Sequence, residues 1–175
     1  PERLDAEARR MAKAVNFGIV YGLSAFGLSR QLKIYPREAK KFIDQYFALY
    51  KKVKVYMEET VAEAKEVGFT QTLMNRKRYM PDLNSQNRQL REAAGRVAIN
   101  SPVQGSAADL IKLAMIRLAQ KIREKKLKSR MILQVHDELV FECPEEEEQE
   151  MRALVKKEME GVVALKVPLV VDMGW

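Results

Sequence analysis

The stretch MILQVHDELVFE, residues 131–142, decides the fold class because it places two short apolar runs on either side of three ionisable residues. The two runs have the pattern of short strands, and their separation predicts a β-hairpin. The connection is unusual, since tight hairpin turns favour Asn-Gly or Asp-Gly, which tolerate a positive φ. The connecting residues are His136, Asp137 and Glu138. A plain turn and a metal or catalytic site are both compatible with them, and the stretch alone leaves the choice open.

The rest of the chain is predicted to be mostly helical from its apolar spacing, its capping residues and its helix breakers. The predicted helices cover residues 5–21, 24–33, a segment from Pro36, Val53–Val67, a segment from Asn84 or Ser85 to about Asn100, Ala107–Lys126 and about 145–160. Pro102 is predicted to break the helical run. FTQTLMNRKRYMP is predicted to be a second hairpin, and LKVPLVVDMGW a closing strand. Helices followed by a small antiparallel sheet with helices packed against it make an α+β fold.

The composition is ordinary for a globular protein, with 175 residues of which 47% are hydrophobic and 31% are charged. There is no apolar run of about 18 residues and no signal-peptide pattern, so neither membrane insertion nor secretion is predicted. The single cysteine, Cys143, excludes an internal disulfide and fits a reducing compartment. The single histidine excludes a His-rich metal site, so any metal is expected to be held by carboxylates.

The charge is unevenly distributed along the chain, although the net charge is only +7. Residues 1–130 hold 27 Lys and Arg against 13 Asp and Glu, a net charge of +14, whereas residues 131–175 hold 4 against 11, a net charge of −7. A basic body with an acidic end is typical of a polyanion partner bound by one part and metal-dependent chemistry in another. The alternative is that the lysine-rich helices are simply solvated.

The first predicted helix carries four residues that recur every four positions in RRMAKAVNFGIVYG: Arg9, Lys13, Phe17 and Tyr21. This spacing places them on one face of the helix. Two cations one turn apart are suited to successive phosphates of a triphosphate, and an aromatic ring one turn further along is suited to stacking on a sugar or base. The alternative is that the two aromatic residues belong to the core and the two cations are solvated.

Gly18 lies beside Phe17 in the same helix. A glycine inside a helix costs about 1 kcal/mol relative to alanine, so it is expected to have a compensating role. Here it is predicted to let a large group approach the helix closely.

Three motifs together resemble a known family. Arg9, Lys13, Phe17 and Tyr21 form a stripe along one helix face. Together with the glycine that follows, this stripe matches at every position the Arg-x3-Lys-x3-Phe-x3-Tyr-Gly helix of the fingers subdomain in family A DNA polymerases, the bacterial DNA polymerase I type. NSPVQGSAADLIK, from Asn100 to Lys112, resembles the family's segment that contacts the primer–template, and QVHDELVFE resembles its palm hairpin. The order and spacing of the motifs also agree. Two departures are Gly95, where relatives often have glutamate, and Asn75, where they often have glycine.

The resemblance implies template-directed nucleotidyl transfer from a deoxynucleoside triphosphate to a primer 3′-hydroxyl in DNA replication and repair. The implied partners are primer–template DNA and deoxynucleoside triphosphates, with no membrane, and the implied location is the bacterial cytoplasm and nucleoid. The implied nucleotide-binding residues are Arg9, Lys13, Phe17 and Tyr21. The implied DNA-binding residues are Arg96, Asn100, Gln104 and His136.

The resemblance also implies a site for two magnesium ions, with Asp137 as a ligand and Glu138 as a supporting ligand. Asp137 and Lys13 would be the catalytic residues. The fold implied is a mainly helical fingers subdomain over residues 1–80 and the C-terminal part of the palm, with its antiparallel sheet and packed helices, over residues 81–175.

The first metal-binding carboxylate of the family lies in an Asp-Tyr-Ser-type motif, which this sequence does not contain. We therefore expect the chain to be part of a larger polymerase, either truncated or one piece of a split enzyme, whose remaining palm and thumb act as a partner. By itself the chain is expected to be inactive as a DNA-directed DNA polymerase. The alternative is a non-catalytic fragment or subunit that only binds nucleic acid.

Overall fold

The structure, a computed structural model, describes residues 6–174. Its helices and strands are α1 (Ala6–Val20), α2 (Ala25–Leu32), α3 (Pro36–Leu49), α4 (Lys51–Val67), β1 (Phe69–Gln71), β2 (Lys77–Tyr79), α5 (Arg88–Glu124), β3 (Arg130–Val135), β4 (Glu138–Glu142) and α6 (Glu148–Glu160). Short 3-10 turns, Pro81–Asn84 and Glu145–Glu147, precede α5 and α6. β1 pairs with β2 and β3 with β4, both antiparallel. The predicted α+β class, mainly helical with small antiparallel sheets, is confirmed.

The chain divides into two compact units between Val103 and Gln104. The first unit holds α1 to α4, the hairpin β1–β2 and the beginning of α5. The second holds the rest of α5, the hairpin β3–β4 and α6. This division does not coincide with the subdomain boundary predicted after residue 80, which stays a prediction. Within residues 6–174, no helix is long and apolar enough to cross a membrane.

Several helix ends follow signals that the sequence displays locally. The Ser24 hydroxyl oxygen accepts a hydrogen bond from the Gly27 N–H at 3.2 Å and caps α2. Pro36 is the first residue of α3, where its fixed φ suits the helix and its missing N–H has no helical partner to lose. Gly68 ends α4 with a φ of 82°. The helix predicted over residues 24–33, the start predicted at Pro36 and the end predicted at Val67 are confirmed to within one residue.

Helix α5 runs through Pro102, so the break predicted at this residue is wrong. Proline has no N–H to donate and removes one bond of the helical ladder. Side chains donate to two other carbonyl groups in the same region. The Ser101 hydroxyl donates to the Val97 carbonyl at 2.7 Å, and the Tyr56 hydroxyl, from α4, donates to the Ile99 carbonyl at 3.2 Å. The helix continues as one element of 37 residues despite the bond lost at Pro102.

The beginning of α5 also differs from the prediction. The helix begins at Arg88, and the Asn87 side-chain oxygen accepts a hydrogen bond from the Gln89 N–H at 2.9 Å. The predicted caps, Asn84 and Ser85, lie at the end of the preceding 3-10 turn. Residues 84–87 are all polar, and several of them are possible helix caps. The 3-10 turn includes the first of these residues, and the helix begins after the last of them, Asn87.

The closing segment, residues 165–174, forms no strand in the part of the chain that the structure describes, so the predicted strand is wrong. A strand requires a neighbour that bonds its backbone N–H and C=O groups. The Val171 N–H instead donates to the Glu160 side chain at 3.1 Å. The sequence of this segment favours a strand locally, but a local preference does not provide the neighbour.

Each unit has an apolar core of its own. In the first unit the buried cluster is Ala64, Met80, Leu83, Ala94 and Ala98. In the second unit it consists of residues from α5 and α6: Leu118, Ile122, Met151, Leu154 and Val155. The hairpin β3–β4 packs on this second cluster through Met131, Leu139 and Phe141. One face of the hairpin is thereby fixed against two helices.

The hairpin β3–β4 contains a β-bulge at Ile132. Met131 pairs with Phe141, but the next pair is Leu133 with Val140, so Ile132 is an extra residue in β3. The ladder then continues to the pair Val135 and Glu138, which leaves a turn of two residues between the strands.

A carboxylate joins the loop before β3 to the 3-10 turn before α6. Glu147 accepts hydrogen bonds from the Lys128 N–H at 2.8 Å, the Ser129 N–H at 2.9 Å and the Ser129 hydroxyl at 2.6 Å. The bond from the Lys128 N–H, followed by that from the Ser129 hydroxyl, lowers the pKa of Glu147 below its ordinary value of 4.5. The ionised carboxylate therefore holds the start of β3 in place.

We expect Glu147→Gln to lower the melting temperature near pH 7, and the difference from the unchanged chain to shrink in acid. A carboxyl whose pKa is lowered in the folded state stabilises the fold above its ordinary pKa, and this contribution is lost as the pH falls through the lowered value. Thermal unfolding followed by circular dichroism at about pH 7 and about pH 3 measures the difference.

Glu146→Gln is the matched control because Glu146 is exposed and makes only a 3.6 Å ion pair with Lys128. Such exposed pairs contribute little to stability. Equal losses of melting temperature in the two variants at neutral pH would contradict the role given to Glu147.

Candidate functional site

Helix α1 and the residue that follows it present the predicted stripe on an exposed face. Arg9 and Lys13 are exposed, and Phe17 and Tyr21 keep 44% and 43% of their surface accessible. The two aromatic rings are stacked, with centroids 5.9 Å apart and planes 20° apart. The Lys13 ammonium nitrogen lies 5.9 Å from the centre of the Phe17 ring. Neither aromatic residue is therefore in the core.

The opposite face of α1 holds the helix in place. Ile19 is 2% exposed. A Cβ atom on Gly18 would lie 3.0 Å from a Leu23 methyl carbon and 3.4 Å from a Leu28 methyl carbon. Gly18 does admit a large group, as predicted, but this group is the chain's own pair of leucines, so nothing here supports a ligand at Gly18.

A polar contact ties α1 to α3. The Tyr46 hydroxyl donates a hydrogen bond to the Asn16 side-chain oxygen at 3.0 Å. Burial, with a smaller effect from Tyr50, raises the pKa of Tyr46, so the hydroxyl keeps its proton and remains a donor. The exposed stripe thus stands on a helix that is fixed by both apolar and polar contacts.

The second group of predicted residues lies on α5. Arg96 and Gln104 are exposed, and Asn100 is half-buried. The Asn100 amide donates to the Arg96 carbonyl at 2.8 Å, which leaves its side-chain oxygen available as an acceptor. Arg96 and Asn100 belong to the first compact unit and Gln104 to the second. The uninterrupted helix places all three residues on one element at a spacing of four.

Gly22, directly after the stripe, contacts Arg96. It has a φ of 74°, and a Cβ atom there would lie 3.0 Å from Arg96 Cγ, 3.7 Å from Cδ and 3.8 Å from Cβ. The helix predicted over residues 5–21 ends just before Gly22, and the separation of Gly22 and Arg96 in the sequence gives no sign of this contact.

The predicted metal-binding residues lie at the tip of the hairpin β3–β4. His136 and Asp137 form the two-residue turn, Glu138 is the first residue of β4, and all three are exposed. His136 has a φ of 54°, which is uncommon for a residue other than glycine. Its carbonyl accepts a hydrogen bond from the Gln134 side chain at 3.0 Å. The stretch therefore does form a hairpin turn, and two adjacent carboxylates are exposed there.

A cleft of about 1200 Å³ lies beside these carboxylates in the second unit. Its walls come from β4, α6 and the closing segment, including Val140, Phe141 and Met151. Asp137 and Glu138 both line the cleft. The hairpin tip therefore borders a space large enough for a substrate-sized group.

The predicted site residues fall into two groups, one in each compact unit. The first unit contains the stripe on α1 together with Arg96 and Asn100, and the second contains Gln104 and the hairpin tip. Contacts within the first unit join the end of the stripe to Arg96 through Gly22. Within the second unit, the backbone of the turn joins His136, Asp137 and Glu138.

The whole chain, residues 1–175, matches the family model for DNA polymerase family A. The chain belongs to this family. It is 58% identical over 167 residues to DNA polymerase I of Caldicellulosiruptor bescii, covering 95% of this chain and 20% of that protein. It is 54% identical over 173 residues to DNA polymerase I of Bacillus subtilis, covering 99% of this chain and 20% of that protein.

A solved structure of the same family is also similar. It is the POL domain of Pol1 from M. smegmatis in complex with DNA primer-template and dNTP, with a TM-score of 0.93 and 49% identity. The match covers 96% of this chain and 30% of that chain. This family A chain thus spans about a fifth of the length of the relatives named above.

The hairpin tip of this family A chain fits a magnesium ion in its donor type. Mg²⁺ prefers oxygen ligands and is commonly bound by one or two carboxylates together with substrate phosphates and water. Asp137 and Glu138 are adjacent, exposed carboxylates on a turn with a fixed backbone. Within residues 6–174 there is no group of three or more His, Cys, Asp or Glu residues that could hold a metal. The two carboxylates therefore match the usual protein share of a magnesium site, in which phosphate and water supply the other ligands.

We expect Ile19→Ala to destabilise the chain by about 2–5 kcal/mol, because it empties a buried position. Phe17→Ala should cost about 1 kcal/mol or less, because the ring is largely exposed and loses mainly its stacking on Tyr21. Chemical denaturation of the two variants measures the free energy of unfolding. A loss for Phe17→Ala as large as that for Ile19→Ala would mean that Phe17 is a core residue.

Proposed function

We propose that this chain is part of a DNA-directed DNA polymerase that transfers nucleotides from deoxynucleoside triphosphates to a primer 3′-hydroxyl under the direction of a template. The exposed stripe on α1 is the main observation behind the proposal. Its two cations and two stacked aromatic rings lie outside the core, so they are available to bind a ligand. Family membership supports it, as do the relatives named DNA polymerase I. The biological setting that follows is DNA replication and repair in the bacterial cytoplasm.

Arg9 and Lys13 bind the triphosphate in this proposal. Four residues of helix span about 6 Å, so the two cations reach successive phosphate groups. Charge-assisted bonds to phosphate oxygens are among the stronger hydrogen bonds in proteins. Lys13 also stabilises the negative charge that develops on the departing pyrophosphate, which makes it a catalytic residue.

Phe17 and Tyr21 provide the flat surface for the base and sugar. Their rings are nearly parallel and stacked, and they keep 44% and 43% of their surface accessible, so a base can extend the stack. Stacking of a base on such a surface is worth about 1–3 kcal/mol and is tolerant of sequence, as a polymerase requires. Phe17 lies closer to the cations and faces the incoming nucleotide, whereas Tyr21 faces the template side.

Arg96, Asn100, Gln104 and His136 contact the primer–template. The base edges in the minor groove are mainly acceptors at A·T pairs, and Arg96 and Gln104 are exposed donors. The minor-groove pattern is largely degenerate, so contacts to it depend little on sequence. The net charge of +14 over residues 1–130 adds a general attraction for the phosphate backbone.

Asp137 and Glu138 would hold magnesium at the hairpin tip. When bound, a pair of Mg²⁺ ions lowers the pKa of the primer hydroxyl and neutralises charge on the phosphates. Both carboxylates line the cleft beside β4, whose walls combine apolar side chains such as Val140 with the charged Arg152. The remaining ligands come from another segment of the polymerase, which is a partner of this chain, and from the nucleotide.

A second candidate function is binding of nucleic acid without chemistry, as a fragment or subunit of a split polymerase. The net charge of +14 over residues 1–130, which does not depend on the metal site, favours it for the chain in isolation. The two candidates differ in whether Asp137 matters when the chain is placed in a complete polymerase.

We expect a chimaera to extend primers when this chain replaces the matching 173 residues of Bacillus subtilis DNA polymerase I. Asp137→Ala in the chimaera should abolish extension, because the hairpin carboxylate is then missing from the metal site. The 175-residue chain alone should not extend a primer. Gel-based extension of a labelled primer measures all three. A chimaera that remains active with Asp137→Ala would refute the catalytic role.

Lys13→Ala in the same chimaera should reduce the rate of incorporation on the order of 10²–10³-fold, as is typical when a group stabilising transition-state charge is removed. The affinity for primer–template should remain nearly unchanged, because Lys13 contacts the nucleotide. Single-turnover extension and DNA titration measure the two quantities. Lys52→Ala, at an exposed lysine on α4, is the control for loss of one positive charge. Similar losses of rate and affinity would overturn the assignment of Lys13.

A further inference from the structure

Gly22 lies where the stripe on α1 ends, and the side chain of Arg96 runs directly past it. Three carbons of the arginine stem, Cβ, Cγ and Cδ, lie 3.8, 3.0 and 3.7 Å from the position that a Cβ on Gly22 would take. A separation of 3.0 Å is shorter than ordinary contact between carbon atoms. The arginine stem therefore occupies the space that a larger residue at position 22 would need.

The same contact joins two elements that carry proposed binding residues. Gly22 follows Tyr21 immediately, and Arg96 lies on α5 one turn before Asn100. The Arg96 side chain is exposed, so its guanidinium is accessible to a ligand. An exposed arginine loses conformational freedom when it binds, unless its stem is already held.

We propose that Gly22 is a positioning residue for Arg96: it gives the arginine stem a fixed path across the end of α1, so that the guanidinium is presented to the primer–template in one direction. The proposal rests on the proposed function, in which Arg96 contacts DNA. It assigns Gly22 a role in DNA binding without any contact between Gly22 and DNA.

The simpler explanation is that position 22 is glycine only because its φ is 74°. Gly68 provides a matched control for this explanation. It also follows a helix, its φ is 82°, and its N–H bonds to the carbonyl of Ala64 at 3.0 Å, but a Cβ there would have no neighbour within 4 Å. Gly68→Ala therefore introduces the backbone strain without displacing another side chain.

The experiment compares Gly22→Ala, Gly68→Ala, Arg96→Ala and the double variant Gly22→Ala with Arg96→Ala in the full chain. Affinity for a fluorescent primer–template is measured by anisotropy at one fixed salt concentration, and stability by thermal unfolding. Gly22→Ala should weaken DNA binding on the order of tenfold, close to the effect of Arg96→Ala, which loses a charge-assisted contact. Gly68→Ala should leave the affinity almost unchanged.

The double variant distinguishes positioning from a general loss of structure. Once Arg96 is alanine, adding Gly22→Ala should cause no further loss of affinity, because the side chain that it displaces is gone. Its cost in melting temperature should also fall to that of Gly68→Ala, since the methyl group then has room. Interaction between the two substitutions of this kind is what a shared contact produces.

Other results would overturn the proposal in identifiable ways. Equal effects of Gly22→Ala and Gly68→Ala on affinity, or independent losses in the double variant, would leave Gly22 with a backbone role only. If Arg96→Ala does not weaken binding, the assignment of Arg96 as a DNA contact fails together with the proposal. If Gly22→Ala does not fold, the double variant decides, and a double variant that is also unfolded overturns the proposal.

Discussion

A helix that displays cations and aromatic rings on one face has to be held by its other face, and in α1 this requirement falls on Ile19 and Gly18. Ile19 is almost fully buried, and the missing side chain of Gly18 allows two leucines from the following segment to approach the helix backbone. One of them, Leu28, is itself completely buried on α2. The return of the chain after α1 is thus packed tightly enough that Phe17 and Tyr21 are not needed in the core.

The two hairpins meet the geometric demand of a tight turn in different ways. In the first hairpin Asn75 takes a φ of 61°, and the Thr72 hydroxyl accepts hydrogen bonds from the Met74 and Arg76 N–H groups. Asparagine tolerates this conformation well, so replacing the family's frequent glycine does not disturb the turn. In the second hairpin histidine takes a similar φ, which is less favourable, and the packing of the strands on α5 and α6 holds it there.

The sequence predicted what depends on neighbouring residues and missed what depends on distant ones. The cap at Ser24, the start at Pro36 and the end at Gly68 are local signals, and the stripe on α1 follows from helical periodicity alone. Next to Pro102, which α5 passes without a break, the Ile99 carbonyl accepts a hydrogen bond from Tyr56, a residue of another helix. The closing segment has the composition of a strand, but a strand exists only with a partner. The approach of Arg96 to Gly22 likewise has no periodic or compositional sign.

The extra residue in β3 has a consequence for how the hairpin β3–β4 can assemble. β3 has six residues and β4 has five, so the residue pairs before Ile132 are offset by one residue from the pairs after it. A slip of one residue would have to move the bulge as well as every pair, and it would turn the apolar residues Leu139 and Phe141 away from the helices. A shifted ladder would therefore lose both its matched bulge and its packing on the helices. The bulge and the buried face together favour the one alignment that keeps Asp137 in the turn.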